Sequence, residues 1–214
     1  MSGPVVLLHG LSASTQWWRS TVEALEPDYD VHVLRLGGMP YAEAAAWLGD
    51  WLVRETEDGA TLVGHSMGGA VALLAAAQNR DVVRRLALIA PAGLFATRRR
   101  LNYVAPLVRS LGARPGRIGP AAWDTARIGP LRLWRVAADL LACDLTPVLG
   151  SVHVPTLLVW GADDRLLPPS LAQEFHAQLP NSRLVFLENC GHVPMLEAPE
   201  ALNVELRRFL AERA

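Results

Sequence analysis

Ser66 stands in Gly64-His65-Ser66-Met67-Gly68-Gly69, between the apolar run Ala60–Val63 and the Ala-, Val- and Leu-rich run Ala70–Ala77. The first run reads as a buried strand and the second as a buried helix, so Ser66 occupies a strand-to-helix turn. A turn this tight strains the serine backbone, and Gly64 and Gly68 lack the side chains that would keep strand and helix apart. The hydroxyl then sits at a helix N-terminus, where amides and the helix dipole favour developing negative charge. A serine is a poor nucleophile unless a base takes its proton and an acid orients that base. Both kinds of group are present. Cys190-Gly191-His192-Val193-Pro194 follows the apolar run Leu184–Leu187, and Gly161-Ala162-Asp163-Asp164-Arg165 follows Thr156–Trp160. Each of the three thus falls at the carboxyl end of an expected strand.

Positioning such distant residues requires a sheet, and the chain alternates strand-like with helix-like segments as a parallel sheet covered on both faces does. Strands are expected at Val5–Leu8, Val31–Leu36, Ala60–Val63, Arg84–Ile89, Thr156–Trp160 and Leu184–Leu187. Helices are expected at Trp17–Leu25 with Thr15 as cap, Tyr41–Glu55, Ser170–Leu179 and 199–213, with Pro199 in the first turn. The rhythm breaks over residues 94–145, where no strand is evident and Gly and Pro interrupt short amphipathic pieces. Nine arginines against three aspartates give this stretch +6 and leave −7 for the remainder. It is expected to form a small helical lid, with 1–93 and 146–214 as the core.

Composition narrows the class. The 214 residues suit one domain, and 51% hydrophobic content with 15 prolines describes a compact chain. A net charge of −1 gives no reason to expect nucleic acid. No apolar run has the ~18 residues of a membrane span, and the opening residues do not read as a secretion signal. Two cysteines, Cys143 and Cys190, show no metal-like spacing; a disulfide between them stays open from sequence, and free thiols of a cytoplasmic protein are the expectation.

Together, His9-Gly10 after the first strand, Gly64 to Gly69, Gly161-x-x-Asp164 and Gly191-His192 resemble the α/β-hydrolase superfamily, in particular its small serine carboxylesterase-like members with a helical lid. The resemblance covers nearly the whole chain outside residues 94–145. It implies a doubly wound, mostly parallel sheet of about six strands, without the strand pair that precedes the first strand in many relatives. It also implies Ser66 as nucleophile, Asp164 as acid and His192 as base, with the backbone N–H groups of Leu11 and Met67 as oxyanion hole. Of the adjacent Asp163 and Asp164, spacing from Gly161 favours Asp164. Neither a metal nor an organic cofactor is called for. Relatives carry an Asp-x-Pro-Gly-x-Gly-x-Ser segment after the second strand, which here is shortened to Arg35-Leu36-Gly37-Gly38-Met39-Pro40.

The implied activity is hydrolysis of small to medium carboxylic esters through an acyl-enzyme. Alternatives are a thioesterase, a lactonase, a C–C hydrolase, an acyl-carrier-protein methyl esterase whose basic lid docks its acidic partner, and a non-catalytic ligand-binding relative. His9 is expected to anchor its loop and His65 to line or support the pocket. Of Trp17 and Trp18, at least one is expected to border the site, and Trp123 and Trp134 are expected to pack the lid against the core and line an acyl pocket. Arg98-Arg99-Arg100 reads either as a solvated helix end or as a fork for a carboxylate or phosphate.

Overall fold

A computed structural model describes residues 3–11, 13–94 and 129–212. The apolar runs form strands β1 (Val5–Leu8), β2 (Val31–Leu34), β3 (Ala60–His65), β4 (Val83–Ile89), β5 (Thr156–Gly161) and β6 (Ser182–Leu187). They pair in the order β2-β1-β3-β4-β5-β6, every pair parallel. Helices α1 (Arg19–Leu25), α2 (Tyr41–Glu55), α3 (Met67–Gln78), α4 (Pro130–Ala142), α5 (Thr146–Leu149), α6 (Pro169–Gln178), α7 (Pro194–Glu197) and α8 (Pro199–Ala211) complete the described elements.

Side-chain alternation explains why both faces are covered. Val6 and Leu8 of β1, Leu62 of β3, Leu86 and Leu88 of β4 and Trp160 of β5 point into one core, against α2, α3 and α6. The intervening Val5, Leu7, Val63, Ala87, Ile89 and Val159 point into a second core, where Leu25 of α1 and Leu202, Leu206 and Phe209 of α8 meet them. Central strands buried on both sides have no polar face to show. That is why they read as unbroken apolar runs. The edge strand β2 is only half-buried along its whole length.

From β1 the chain moves outward to β2, then returns to build the rest of the sheet on the other side of β1. This reversal opens a crevice beyond the carboxyl ends of β1 and β3, where open α/β sheets bind ligands. Ser66 follows β3 directly, so the crevice and the elbow coincide.

Several boundaries differ from expectation, for local reasons. The second strand stops at Leu34 because the Leu36 amide turns out of the ladder and donates to His9 Nε2 at 3.3 Å. The helix expected from Trp17 opens as a 3-10 turn over Thr15–Trp18, and its cap is Ser14, not Thr15: Ser14 Oγ accepts from the Gln16 amide at 3.2 Å. Strands β4 and β6 begin one and two residues early. Helix α6 runs Pro169–Gln178 instead of Ser170–Leu179, and α8 ends at Ala211.

The stretch 94–145 leaves and rejoins the fold at one place. Leu94 and Asp144 form an antiparallel bridge, and the Leu145 amide donates to the Gly93 carbonyl at 2.7 Å. Its described helix, α4, buries Val136 and Leu140 in the larger core, and Asp139 accepts from the Tyr41 amide of α2 at 3.0 Å. Cys143 and Cys190 are buried free thiols. Among the described residues no helix is long and apolar enough to cross a membrane.

Candidate active site

The elbow is built from close backbone approaches. Ser66 has φ +53° and ψ −114°, a conformation that side chains rarely adopt. Its amide donates to Ile89 O at 3.0 Å and its carbonyl accepts from Ala92 N at 3.0 Å, so β4 and the loop beyond it hold the strained residue. A Cβ at Gly64 would lie 2.4 Å from Gly68 O, and one at Gly68 would lie 2.4 Å from Leu8 O. Glycine at both positions lets β1, β3 and α3 meet at one point.

Two loops bring the other groups to Ser66. A Cβ on Gly161 would lie 2.1 Å from Gly191 O, and the Asp163 amide donates to Cys190 O at 2.9 Å, so the loops after β5 and β6 run backbone to backbone. Asp163 points to solvent. Asp164 is 3% exposed, and its Oδ1 accepts from the amides of Leu166 and Leu167 at 2.8 and 2.9 Å. Its Oδ2 lies 2.8 Å from His192 Nδ1, while His192 Nε2 lies 3.2 Å from Ser66 Oγ. With Nδ1–H donating to the carboxylate, Nε2 keeps its lone pair toward the serine hydroxyl. A base so oriented can take the Ser66 proton.

The loop after β1 borders the same point. A Cβ on Gly10 would lie 3.2 Å from Ser66 Cβ, which places Gly10 beside Ser66. His9 holds this loop: Nε2 accepts from Leu36 N, so Nδ1–H donates to Gly10 O at 2.8 Å. Met67 is the first residue of α3, and the first amides of a helix have no carbonyl partner within it. Met67 N–H is therefore available to an anion beside Ser66.

His65 is 2% exposed, and its Nε2–H donates to the carbonyl of His192 at 2.8 Å. The two imidazole centroids are 5.0 Å apart. His65 Nδ1 is buried without a hydrogen-bond partner, so a second proton would have no acceptor. Burial, with a smaller contribution from His192 nearby, drives its pKa from 6.5 down to about 3. The ring is enclosed, and its bond to the His192 carbonyl supports the histidine loop.

Trp17 is half-buried in the 3-10 turn beyond Gly10 and packs on the second core. Trp134 departs from expectation. Its side chain is 68% exposed, because α4 turns Val136 and Leu140 inward and Leu131 and Trp134 outward. An indole this exposed does not pack α4 onto the core. Trp123 and Arg98-Arg99-Arg100 lie outside the described residues.

One contributor to the site had no sequence signal. Glu197 Oε2 accepts from the amide of Gly191 and Oε1 from that of Val193, each at 3.0 Å. A carboxylate that bonds backbone amides four and six residues back leaves no side-chain pattern to read. Among the described residues no group of three or more His, Cys, Asp or Glu is placed to hold a metal ion.

Comparison with known proteins adds to this geometry. A family model described as "Alpha/beta hydrolase family" matches residues 5–205. The pimeloyl-[acyl-carrier protein] methyl ester esterase of Neisseria meningitidis serogroup B (strain MC58) is 30% identical, over 96% of this chain and 92% of its own length. The protein of the same name from Aromatoleum aromaticum is 32% identical, over 92% of this chain and 93% of its own. Among solved structures, a bacterial membrane phospholipase A matches 98% of this chain and 78% of its own with a TM-score of 0.81 and 26% identity. A putative lipase from Acinetobacter baumannii shares the fold, with a TM-score of 0.85 at 22% identity over 98% of this chain and 83% of its own.

Proposed function

The chain belongs to the alpha/beta hydrolase family, and from that premise we propose that it cleaves small to medium carboxylic esters through an acyl-enzyme on Ser66. The observation that carries this reading is the unbroken chain of contacts from Asp164 Oδ2 through His192 to Ser66 Oγ, at 2.8 and 3.2 Å. His192 Nε2 takes the serine proton as Oγ attacks the ester carbonyl carbon. The tetrahedral oxyanion meets the amides of Leu11 and Met67, each such donor contributing about 3 kcal/mol in comparable sites. His192 then protonates the leaving alkoxide, which departs as the alcohol. Water then enters and gives a proton to His192 as its oxygen attacks the acyl carbon; when this second tetrahedral intermediate collapses, His192 returns the proton to Ser66 Oγ and the acid leaves. Asp164 holds the imidazole in the useful tautomer and stabilises its cation.

The test is turnover of a short p-nitrophenyl ester by the parent and by Ser66→Ala. The variant is expected to lose at least ~10³-fold in kcat while staying folded. Full turnover by the variant would discard the mechanism.

A second, narrower reading concerns the substrate. The relatives at 30–32% identity are named for a methyl ester carried on an acyl-carrier protein. Residues 94–145 of this chain carry an excess of six positive charges, suited to an acidic carrier. In this reading the stretch is a cap beside the crevice, and the carrier docks on it while its acyl chain reaches Ser66.

A further inference from the structure

Two peptide groups beside His192, those of Cys190–Gly191 and His192–Val193, are held by two side chains that touch no reacting atom. Glu197 lies at the end of the one-turn helix α7, whose closing bond runs from the Glu197 amide to Val193 O at 3.0 Å. That turn folds the carboxylate back over the loop it has just left. Its two oxygens take the amides on either side of His192, those of Gly191 and Val193, at 3.0 Å each. From the opposite side, His65 Nε2–H takes the carbonyl of His192 itself at 2.8 Å. Amide bonds to an ionised carboxylate are stronger than neutral ones, and a two-pronged acceptor also fixes direction.

The approach depends on glycine at 191. A Cβ there would lie 2.9 Å from Glu197 Oε2, so the carboxylate occupies the space a side chain would need. Glu197 is exposed, and an exposed carboxylate otherwise turns to water. Here both oxygens are drawn onto the backbone.

We infer that Glu197 is a positioning residue for the proposed base, fixing with His65 the peptide from which the His192 imidazole reaches Ser66. The inference rests on the reading of Ser66, His192 and Asp164 given above. The imidazole has one side-chain anchor, Asp164, and two torsions; its reach to Oγ is set by where its own Cα lies. A displacement of about 1 Å in such a site can cost about 10²-fold in rate. Neither Glu197 nor His65 need bind substrate, so the effect belongs in kcat.

The test compares Glu197→Ala and Glu197→Gln with the parent on a p-nitrophenyl ester. kcat is expressed per active site titrated with a fluorophosphonate. Glu197→Ala is expected to lower kcat about 10- to 100-fold with KM changed by less than about threefold. Glu197→Gln keeps shape and an acceptor for only one of the two amides, so it should fall between Ala and the parent. That graded rescue is what a residue needed only for folding would not give. Rates per titrated site within about twofold of the parent in both variants would overturn the inference, as would losses confined to the number of titratable sites. Ser66→Ala is measured alongside. If it retains turnover the reading of the site fails; if it is inactive while both Glu197 variants match the parent, only the positioning role fails.

Discussion

Asp164 divides its carboxylate between two tasks. Oδ1 closes the turn onto Leu166 and Leu167, and Oδ2 faces His192. Asp164→Asn keeps the turn but presents an N–H donor to Nδ1, which forces the imidazole into the tautomer with a proton facing Ser66. The variant should fold normally and lose about 10⁴ in kcat, as loss of the right tautomer does in serine hydrolases; a kcat within tenfold of the parent would contradict the assignment. His65 makes a different prediction, for stability. Its folded pKa is lowered to about 3, below the 6.5 of a free imidazole. Between those values the unfolded chain holds the extra proton, so stability is whole above pH ~6.5 and is lost as pH falls, by up to about 1.4 kcal/mol per unit. His65→Gln retains a donor for the His192 carbonyl and does not titrate. Urea unfolding should show a shallower decline for it between about pH 6 and 4 than for the parent. Equal slopes would remove His65 as a source of acid sensitivity.

At the scale of elements, the site is a set of strand ends made to touch by missing side chains. Gly161 abuts Gly191 O, Gly64 abuts Gly68 O, and each contact is backbone against backbone, where no rotamer change gives relief. Gly161→Ala should therefore cost about 1–3 kcal/mol, lowering Tm by roughly 2–12 °C. It should lower kcat as well, since it parts the loops carrying Asp164 and His192. A Tm and kcat equal to the parent's would mean that these loops are not tightly joined. Much at this scale was legible in the sequence. The six strands, central and edge alike, showed as apolar runs, and Ser66, Asp164 and His192 each sat just past one of them. The misses have physical causes. His9 Nε2 draws the Leu36 amide out of the β2 ladder, and Ser14 instead of Thr15 caps the turn after Gly10. Trp134 was readable in principle, because Val136 and Leu140 repeat at helical spacing and leave Trp134 on the outer side. Glu197 was not, since its partners are backbone amides that any residue supplies.

The whole molecule is near neutral but unevenly charged, with +6 over residues 94–145 and −7 elsewhere. If that stretch docks an acidic carrier, association is steered by a field that salt screens within about 10 Å at 0.1 M. KM for a carrier-linked methyl ester should then rise several-fold between roughly 50 and 300 mM salt, and replacing Arg98, Arg99 and Arg100 by alanine should raise it further. A neutral p-nitrophenyl ester should respond far less to either change. Equal responses of the two substrates would set the carrier reading aside and leave ester hydrolysis itself untouched. The proposed mechanism requires the molecule to bring three distant positions to one crevice and to form a covalent intermediate there. Pre-steady-state hydrolysis of a p-nitrophenyl ester, quenched for intact-mass and peptide mass analysis, observes that intermediate most directly. The proposed mechanism predicts a burst approaching one p-nitrophenolate per chain and an acyl group on the peptide bearing Ser66. A linear time course with no acylated peptide under conditions where deacylation is slowed, or an acyl group on another residue, would contradict it.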